Sequence, residues 1–171
     1  MELIGGGVHR ISGRVYLKGL FSELSIKSDV TLIDGGRIIG EGEWAAILID
    51  AGFRLTSQIT IEGTLVIDTA AGSVRGVFVN DGLVHANRFQ SPFAITLDFV
   101  VVEGSGTFKV GPGSFSDRMV FSFLTAAGNL DATFDLRGGV LDVDTDIVTT
   151  GKLKFIDGQI QVAAGTVFMI P

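Results

Sequence analysis

The sequence contains no cysteine, 3 prolines and few lysines or glutamates, and these shortages exclude several classes of protein. Without cysteine there is no disulfide, no thiolate metal site and no cysteine nucleophile. The segment Met1–Arg10 has no basic stretch followed by an apolar core, so no signal peptide is readable there. The longest apolar runs, such as Trp44–Ile49, are far too short to cross a bilayer. We therefore expect no membrane insertion.

Positive charge is also scarce, since the chain has a formal net charge of -6. Its 13 lysines and arginines are spread singly, with no run that would form a basic stripe. A nucleic-acid backbone or an anionic membrane is a poor electrostatic partner for such a chain. We predict that it binds no nucleic acid.

Glycine and strand-favouring residues are present in excess. Glycine accounts for 24 of the 171 residues, about twice its average share of roughly 7%. Valine, isoleucine, threonine and the aromatic residues, which favour strands, add up to 62 residues. Good helix formers are few by comparison. The composition predicts an all-β fold.

Apolar and polar residues alternate at period two along almost the whole chain, and Gly, Asp and Asn separate the alternating segments. No linker divides the chain, so residues 1–171 are predicted to form a single β domain, which is consistent with a fragment of a longer protein. The predicted strands are Arg14–Leu17, Leu24–Ile26, Val30–Ile33, Arg37–Ile39, Ala46–Ile49, Gln58–Ile61, Thr64–Ile67, Val77–Val79, Ala94–Val102, Thr107–Val110, Met119–Leu124, Asp131–Leu136, Val140–Val143, Lys152–Ile156 and Gln159–Val162.

Two all-β architectures fit these strands. In an antiparallel β-sandwich or jelly roll, tight hairpins join strands that are usually longer than these. In a parallel β-solenoid, each turn lays short strands onto the turn below, and the inward positions stack into one long core. Most predicted strands have three to six residues and are joined by glycine corners, which favours the solenoid. At about 20 residues per turn the chain would make roughly eight turns.

Aspartate and glycine recur together after apolar residues, at irregular spacing. The first four such aspartates are Asp34, Asp50, Asp68 and Asp81. Their separations of 16, 18 and 13 residues do not indicate a sequence repeat, but they suit a coiling backbone whose corners differ in length. If Gly36 or Gly63 occupies a corner with positive φ, valine at that position would impair folding.

Three segments, Val30–Trp44, Ala46–Asp50 and Ile59–Asp68, resemble coils of the right-handed parallel β-helix of pectin-lyase-like proteins and bacteriophage tailspikes. The resemblance lies in apolar-x-apolar strands joined by a glycine turn and an I-x-G-x-G segment. It implies a phage tail-spike or tail-fibre segment, normally a homotrimer, that recognises a host surface polysaccharide. It also implies a place in the virion tail after assembly in the host cytoplasm.

Two other functions stay open. A polysaccharide lyase or glycosidase on the same fold would use some of Glu41, Glu43, Asp142 and Asp144 as its carboxylates. A jelly-roll protein that decorates capsids is the third hypothesis. No residue is singled out as catalytic. No cofactor is predicted either, because the G-x-G-x-x-A match at Gly40–Ala45 lacks the βαβ context of a dinucleotide site.

The best candidate for carbohydrate binding is the group Glu41, Glu43 and Trp44. Trp44 is the one tryptophan of the chain, and an aromatic face beside carboxylates holds a sugar ring by stacking and hydrogen bonds. The alternative interpretation is a tryptophan that covers the core at a corner, with two solvated glutamates nearby.

The weaker candidate is a cation site at Asp142, Asp144 and Asp146. These residues alternate with Val143 and Thr145, so a strand would project all three carboxylates from one face. Three like charges in a row favour a bound cation such as calcium. Ile147 stands where an EF-hand loop requires glycine, which excludes that motif. The alternative is a solvated acidic edge that discourages strand-to-strand aggregation.

Histidines and phenylalanines complete the candidate list. His9 and His85 have no neighbour at metal-ligand spacing. His85, with Asn87 and Arg88, is a candidate for lining a polar groove, and a structural role is its alternative. The phenylalanines of 89–99 and 115–123 are expected to fill a β core or a trimer interface.

Overall fold

The computed structural model describes residues 1–87, 95–112, 117–122 and 125–171, and every helix-or-strand element in them is a β-strand. Within those ranges no helix is long and apolar enough to cross a membrane. The strands are β1 (Glu2–Leu3), β2 (Gly7–Arg10), β3 (Arg14–Leu17), β4 (Glu23–Ile26), β5 (Val30–Ile33), β6 (Arg37–Ile49), β7 (Arg54–Ser57), β8 (Thr60–Thr69), β9 (Gly76–Asn80), β10 (Leu83–Ala86), β11 (Ile95–Asp98), β12 (Val100–Gly104), β13 (Thr107–Val110), β14 (Arg118–Phe121), β15 (Ala126–Leu130), β16 (Thr133–Val143), β17 (Ile147–Val148), β18 (Lys152–Val162) and β19 (Phe168–Met169).

Some predictions fall on residues outside the described ranges. Arg88, the predicted strand start at Ala94 and the predicted strand end at 123–124 belong to them. So do several phenylalanines of 89–99 and 115–123.

All described strand pairs are parallel, and they stack into a β-solenoid with three faces. Face 1 contains β1, β4, β11, β14 and the second halves of the long strands β6, β8, β16 and β18. Face 2 contains β2, β5, β7, β9, β12 and β15, followed by β17 and β19. Face 3 contains β3, β10, β13 and the first halves of the long strands. The predicted β-helix architecture is confirmed, and the antiparallel sandwich is excluded.

Each of the first turns takes 23 residues. Arg14 pairs with Arg37, Arg37 with Thr60, and Thr60 with Leu83. The described strands make about seven turns, fewer than the roughly eight expected. The irregular aspartate spacing arises because Asp34 follows a face 2 strand whereas Asp50 follows a face 1 strand, so different corners were being compared.

The core is a set of inward-facing columns that run through the turns. Because parallel pairing keeps equivalent residues opposite one another, Ile38, Ile61, Val84, Phe108 and Phe134 lie in one column, each at most 1% exposed. The Phe108 and Phe134 rings stack with their centroids 5.6 Å apart. These two phenylalanines therefore fill the core.

The last turn continues the columns but is exposed. Leu153 pairs with Phe134 and Phe155 with Leu136, yet Leu153 is 41% and Phe155 53% exposed. Phe134 and Leu136 are both fully buried. Equivalent inward positions are thus buried on β16, which has a paired strand on each side, and exposed on β18.

Glycines allow the chain to turn tightly between face 3 and face 1. Gly40 and Gly63 are paired, and Gly63 has a φ of +98°. A Cβ on Gly63 would lie 2.3 Å from the Gly40 carbonyl oxygen, closer than any side chain tolerates. Gly36 differs, because its φ is outside the left-handed region and a Cβ there would instead lie 2.1 Å from the Ile11 carbonyl oxygen.

Candidate functional site

Trp44 lies at the corner between face 3 and face 1, where β6 bends. The pairing of β6 with β8 is interrupted between Glu41 and Ala46, so the intervening residues of β6 leave the regular ladder. Trp44 is 52% exposed and does not belong to the core. Its indole stacks on the Phe21 ring, with centroids 6.4 Å apart and an interplanar angle of 12°. Half of the tryptophan surface is therefore available to a ligand.

Phe21 lies in the same corner, one turn earlier, between β3 and β4. It is 76% exposed and has a φ of 60°, which is rare for a bulky residue. Such a backbone conformation costs about 1–3 kcal/mol and persists where the surroundings enforce it. The two corner segments touch closely, since a Cβ on Gly42 would lie 2.1 Å from the Gly19 carbonyl oxygen. The two segments that carry Phe21 and Trp44 therefore lie side by side at this corner.

A charged pair extends the aromatic surface onto face 3. The Lys18 Nζ lies 4.5 Å from the centroid of the Tyr16 ring, within cation–π distance. The same Nζ lies 3.0 Å from Glu41 Oε2. Tyr16 is 41% exposed. We call Tyr16, Lys18, Phe21, Glu41 and Trp44 the aromatic corner.

Two of the three predicted carbohydrate-binding residues, Glu41 and Trp44, belong to the aromatic corner. The side chain of the third, Glu43, lies outside the described residues. Sequence reasoning missed Tyr16 and Phe21. A signal for Phe21 exists, because it precedes Trp44 by 23 residues, the length of one turn.

The three aspartates proposed for a cation are separated by the end of a strand. β16 ends at Val143, and Asp142 forms an ion pair with Arg118 from the previous turn. Asp146 accepts a hydrogen bond from the backbone N–H of Val167, at 2.8 Å. Burial raises the pKa of Asp144, and the charge of Asp142 adds to the rise. Across the described part of the chain, no three His, Asp or Glu side chains are arranged to hold a metal ion.

A second acidic feature lies on face 1, where Asp68 and Asp98 are directly paired in adjacent strands. Burial raises the pKa of the Asp68 carboxyl, the charge of Asp98 adds to the rise, and a hydrogen bond from the Thr69 amide opposes it. The Oδ1 atom of Asp98 is buried and has no hydrogen-bond partner in the described structure. Like charges opposite each other destabilise this part of the sheet.

A third polar group surrounds His85 on face 3. The His85 Nε2 donates to the Gly111 carbonyl oxygen at 2.7 Å. Burial lowers the pKa of His85, and this hydrogen bond opposes the fall. Asn87 follows β10 and donates to Glu62 Oε2 at 3.2 Å, while His85 lies on β10 and is paired with Glu62 in the neighbouring turn.

Asp117 lies near His85 and is the most deeply buried carboxylate of the described residues. It is 2% exposed, and neither of its carboxylate oxygens has a hydrogen-bond partner there. Burial raises its pKa, and the charge of His85 partly offsets the rise. Asp117 is too nearly enclosed to contact a macromolecular ligand. We expect its buried, unpartnered carboxylate to affect the stability of the fold instead.

The aromatic corner is the arrangement best suited to bind a ligand at the surface. Exposed aromatic faces stack on the apolar side of a sugar ring, and the neighbouring ammonium and carboxylate hydrogen-bond to hydroxyl groups. Comparison of the chain with protein-family models, curated proteins and solved structures finds no match.

Proposed function

We propose that the protein is a non-catalytic, carbohydrate-binding β-solenoid, and that the aromatic corner binds the glycan. The observation that carries the proposal is the stacked, exposed pair of Phe21 and Trp44. Large aromatic side chains are normally buried. A pair that is exposed to solvent and lies on a strained backbone is typical of a recognition surface.

The ion pairs of the candidate carboxylates favour binding over catalysis. Glu41 is paired with Lys18, and Asp142 with Arg118, each across neighbouring turns. A carboxylate that is held by a cation stabilises the turn stack and is a poorer nucleophile or base. The hypothesis of a lyase or glycosidase is tested together with binding, as described below.

The β-solenoid fold and the resemblance to tailspikes support a more specific proposal. The protein acts as a segment of a phage tail spike or tail fibre, forms a homotrimer, and recognises a polysaccharide of the host surface. It is located in the virion tail after assembly in the host cytoplasm. Analytical ultracentrifugation at micromolar concentration tests the trimer, and a monomer contradicts it.

The binding proposal is tested with Trp44→Ala and Phe21→Ala on an array of bacterial surface polysaccharides. We expect the unmodified protein to bind at least one glycan, and each variant to lose about tenfold in affinity, since it loses both the buried contact area and a stacking contribution of roughly 0.5–1.5 kcal/mol. Phe53→Ala is the matched control, because Phe53 is a partly exposed aromatic residue at another corner.

Three outcomes contradict the proposal. The first is the absence of any glycan ligand, and the second is binding that survives both substitutions. The third is release of reducing or unsaturated oligosaccharides from a bound polysaccharide, which would support the degrading enzyme instead.

A further inference from the structure

The three faces of the solenoid differ in charge, although the chain as a whole is acidic. The face 3 strands carry more basic than acidic residues: the basic residues are Arg14, Arg37, Lys109, Arg137, Lys152 and Lys154, and the acidic ones are Glu41, Glu62, Asp135 and Asp157. The face 1 strands carry mainly acidic residues: Glu2, Glu23, Asp68, Asp98 and Asp142. The aromatic corner lies between face 1 and face 3. Two of its residues belong to the side of face 3, since Tyr16 lies on β3 and Lys18 directly follows it. An anionic ligand is therefore attracted to face 3.

Two arginines lie next to each other at the start of the face 3 strands, and the side chain of one of them, Arg14, reaches Tyr16 of the aromatic corner. Arg14 and Arg37 are paired in neighbouring turns and are both exposed. The Arg37 Nη1 is engaged by Glu62 Oε1 at 3.1 Å. Arg14 forms no ion pair with any residue that the structure describes, and its Nη1 lies 3.5 Å from the Tyr16 hydroxyl. Arg14 therefore keeps a guanidinium available beside an aromatic ring of the corner.

A guanidinium in this position is suited to bind an oxyanion, either a carboxylate or a phosphate. Its planar array of N–H donors binds a carboxylate through two parallel hydrogen bonds. Lys18, the other cation of the corner, is already paired with Glu41. Glu62 acts on Arg14 electrostatically, but no described carboxylate forms an ion pair with it, so a ligand whose sugar ring stacks on the neighbouring aromatics can supply that carboxylate.

We propose that the glycan bound at the aromatic corner is an acidic polysaccharide, and that Arg14 binds the carboxylate of a uronic or similar acidic sugar. This inference rests on the proposed function, since it assigns a substrate class and a specificity-determining residue to the same corner. Arg37 and Arg137 are paired with Glu62 and Asp135, whereas Lys109, Lys152 and Lys154 lengthen the attractive surface along the stack of turns.

The test uses an array of acidic bacterial polysaccharides, each immobilised in its native form and in a carboxyl-reduced, neutral form. We expect at least one native polysaccharide to bind about tenfold more tightly than its reduced counterpart, because a hydrogen bond to a charged group is stronger than one to a neutral group. Binding of the native form is expected to weaken as the salt concentration rises.

Arg14→Gln is expected to lose this preference and to bind the native and reduced forms alike, whereas Arg14→Lys recovers part of it. Arg10→Gln is the matched control, since it removes the same charge from the same turn but from a residue that is paired with Asp34 on face 2. Folding of each variant is checked by thermal unfolding, and Arg14 is exposed enough for its replacement to be tolerated.

The outcomes separate this inference from the proposed function. If native and reduced forms bind equally, and Trp44→Ala abolishes both, the corner binds glycans but the acidic preference and the role of Arg14 are wrong. If no polysaccharide of either form binds, or if binding is insensitive to Trp44→Ala, the proposed function itself is overturned. A preference that Arg14→Gln leaves unchanged contradicts the assignment of Arg14.

Discussion

Phe21 and Trp44 occupy equivalent positions of two consecutive turns, and their rings lie at 12° to each other with centroids 6.4 Å apart. Both are exposed, so the pair contributes a surface and little to the core. Phe108, by contrast, is 1% exposed and packs against Phe121 and Phe134. The same residue type therefore has two different roles in this protein.

The first prediction compares these roles by stability. Phe21→Ala or Trp44→Ala is expected to lower the free energy of unfolding by about 1.5 kcal/mol or less, which is the size of an exposed aromatic contact. Phe108→Ala is expected to lower it by about 3–5 kcal/mol, as for buried aromatic residues. Urea unfolding followed by circular dichroism measures both. A loss at Trp44 as large as that at Phe108 would mean that Trp44 is a core residue.

The second prediction concerns the glycine corner. Gly63→Ala is expected to destabilise the protein by more than about 2 kcal/mol, because it combines a positive φ with a backbone clash against Gly40. Gly13→Ala is the control, since a Cβ there meets nothing within 4 Å, and its effect is expected to stay within about 0.5 kcal/mol. Equal thermal stability of the two variants would contradict the close stacking of turns at this corner.

The third prediction concerns the buried carboxylate of Asp117. Because burial raises its pKa in the folded state, the folded protein holds that proton more tightly than the unfolded chain does. The ionised Asp117 carboxylate therefore destabilises the fold. This destabilisation is absent below the ordinary carboxyl pKa of about 4, grows as the pH rises towards the raised pKa of the folded state, and is complete above that pKa. Asp117→Asn removes the charge and is therefore expected to be more stable than the unmodified protein at pH 7, with the difference shrinking towards pH 4.

Thermal unfolding between pH 4 and pH 7 checks this prediction, because a carboxyl group with a raised pKa changes the free energy of unfolding in about this range. The variant should show a flatter pH dependence than the unmodified protein. Asp157→Asn is the control, because it makes the same change of charge at an exposed position. An Asp117→Asn protein that is less stable at pH 7 would show that the carboxylate has a favourable partner.

The fourth prediction concerns the paired aspartates of face 1. Asp98→Asn removes a like charge next to Asp68 and is expected to lower the Asp68 pKa, while burial keeps it above its ordinary value. An NMR titration of the Asp68 carboxyl measures the change. A pKa of Asp68 that stays constant would place the two carboxylates further apart than their pairing implies.

Period-two alternation and glycine corners were sufficient to predict the parallel solenoid. The turn length was not predictable in the same way, because similar Asp-Gly pairs occur at different corners, as Asp34 and Asp50 do. The sequence predicted two separate strands, Arg37–Ile39 and Ala46–Ile49. In the structure they belong to one strand, β6, which bends at Glu41–Trp44.

The candidate site was predictable to the extent that it lies within one turn. Glu41 and Trp44 are close in sequence, and both were found. Lys18 and Phe21 contact them from the previous turn, and this proximity depends on the 23-residue pairing register. The difference in charge between the faces also depends on this register, because it becomes visible only when residues 23 positions apart are aligned.

Trp44 offers the most direct measurement of the central claim, because it is the one tryptophan in the chain and its fluorescence reports on the aromatic corner alone. The unmodified protein is titrated with the acidic polysaccharide that it binds on the array, while its emission is recorded. The account predicts a saturable change in emission intensity and wavelength whose midpoint equals the Kd measured by calorimetry. Calorimetric binding with unchanged tryptophan emission would contradict it, because the glycan would then bind elsewhere.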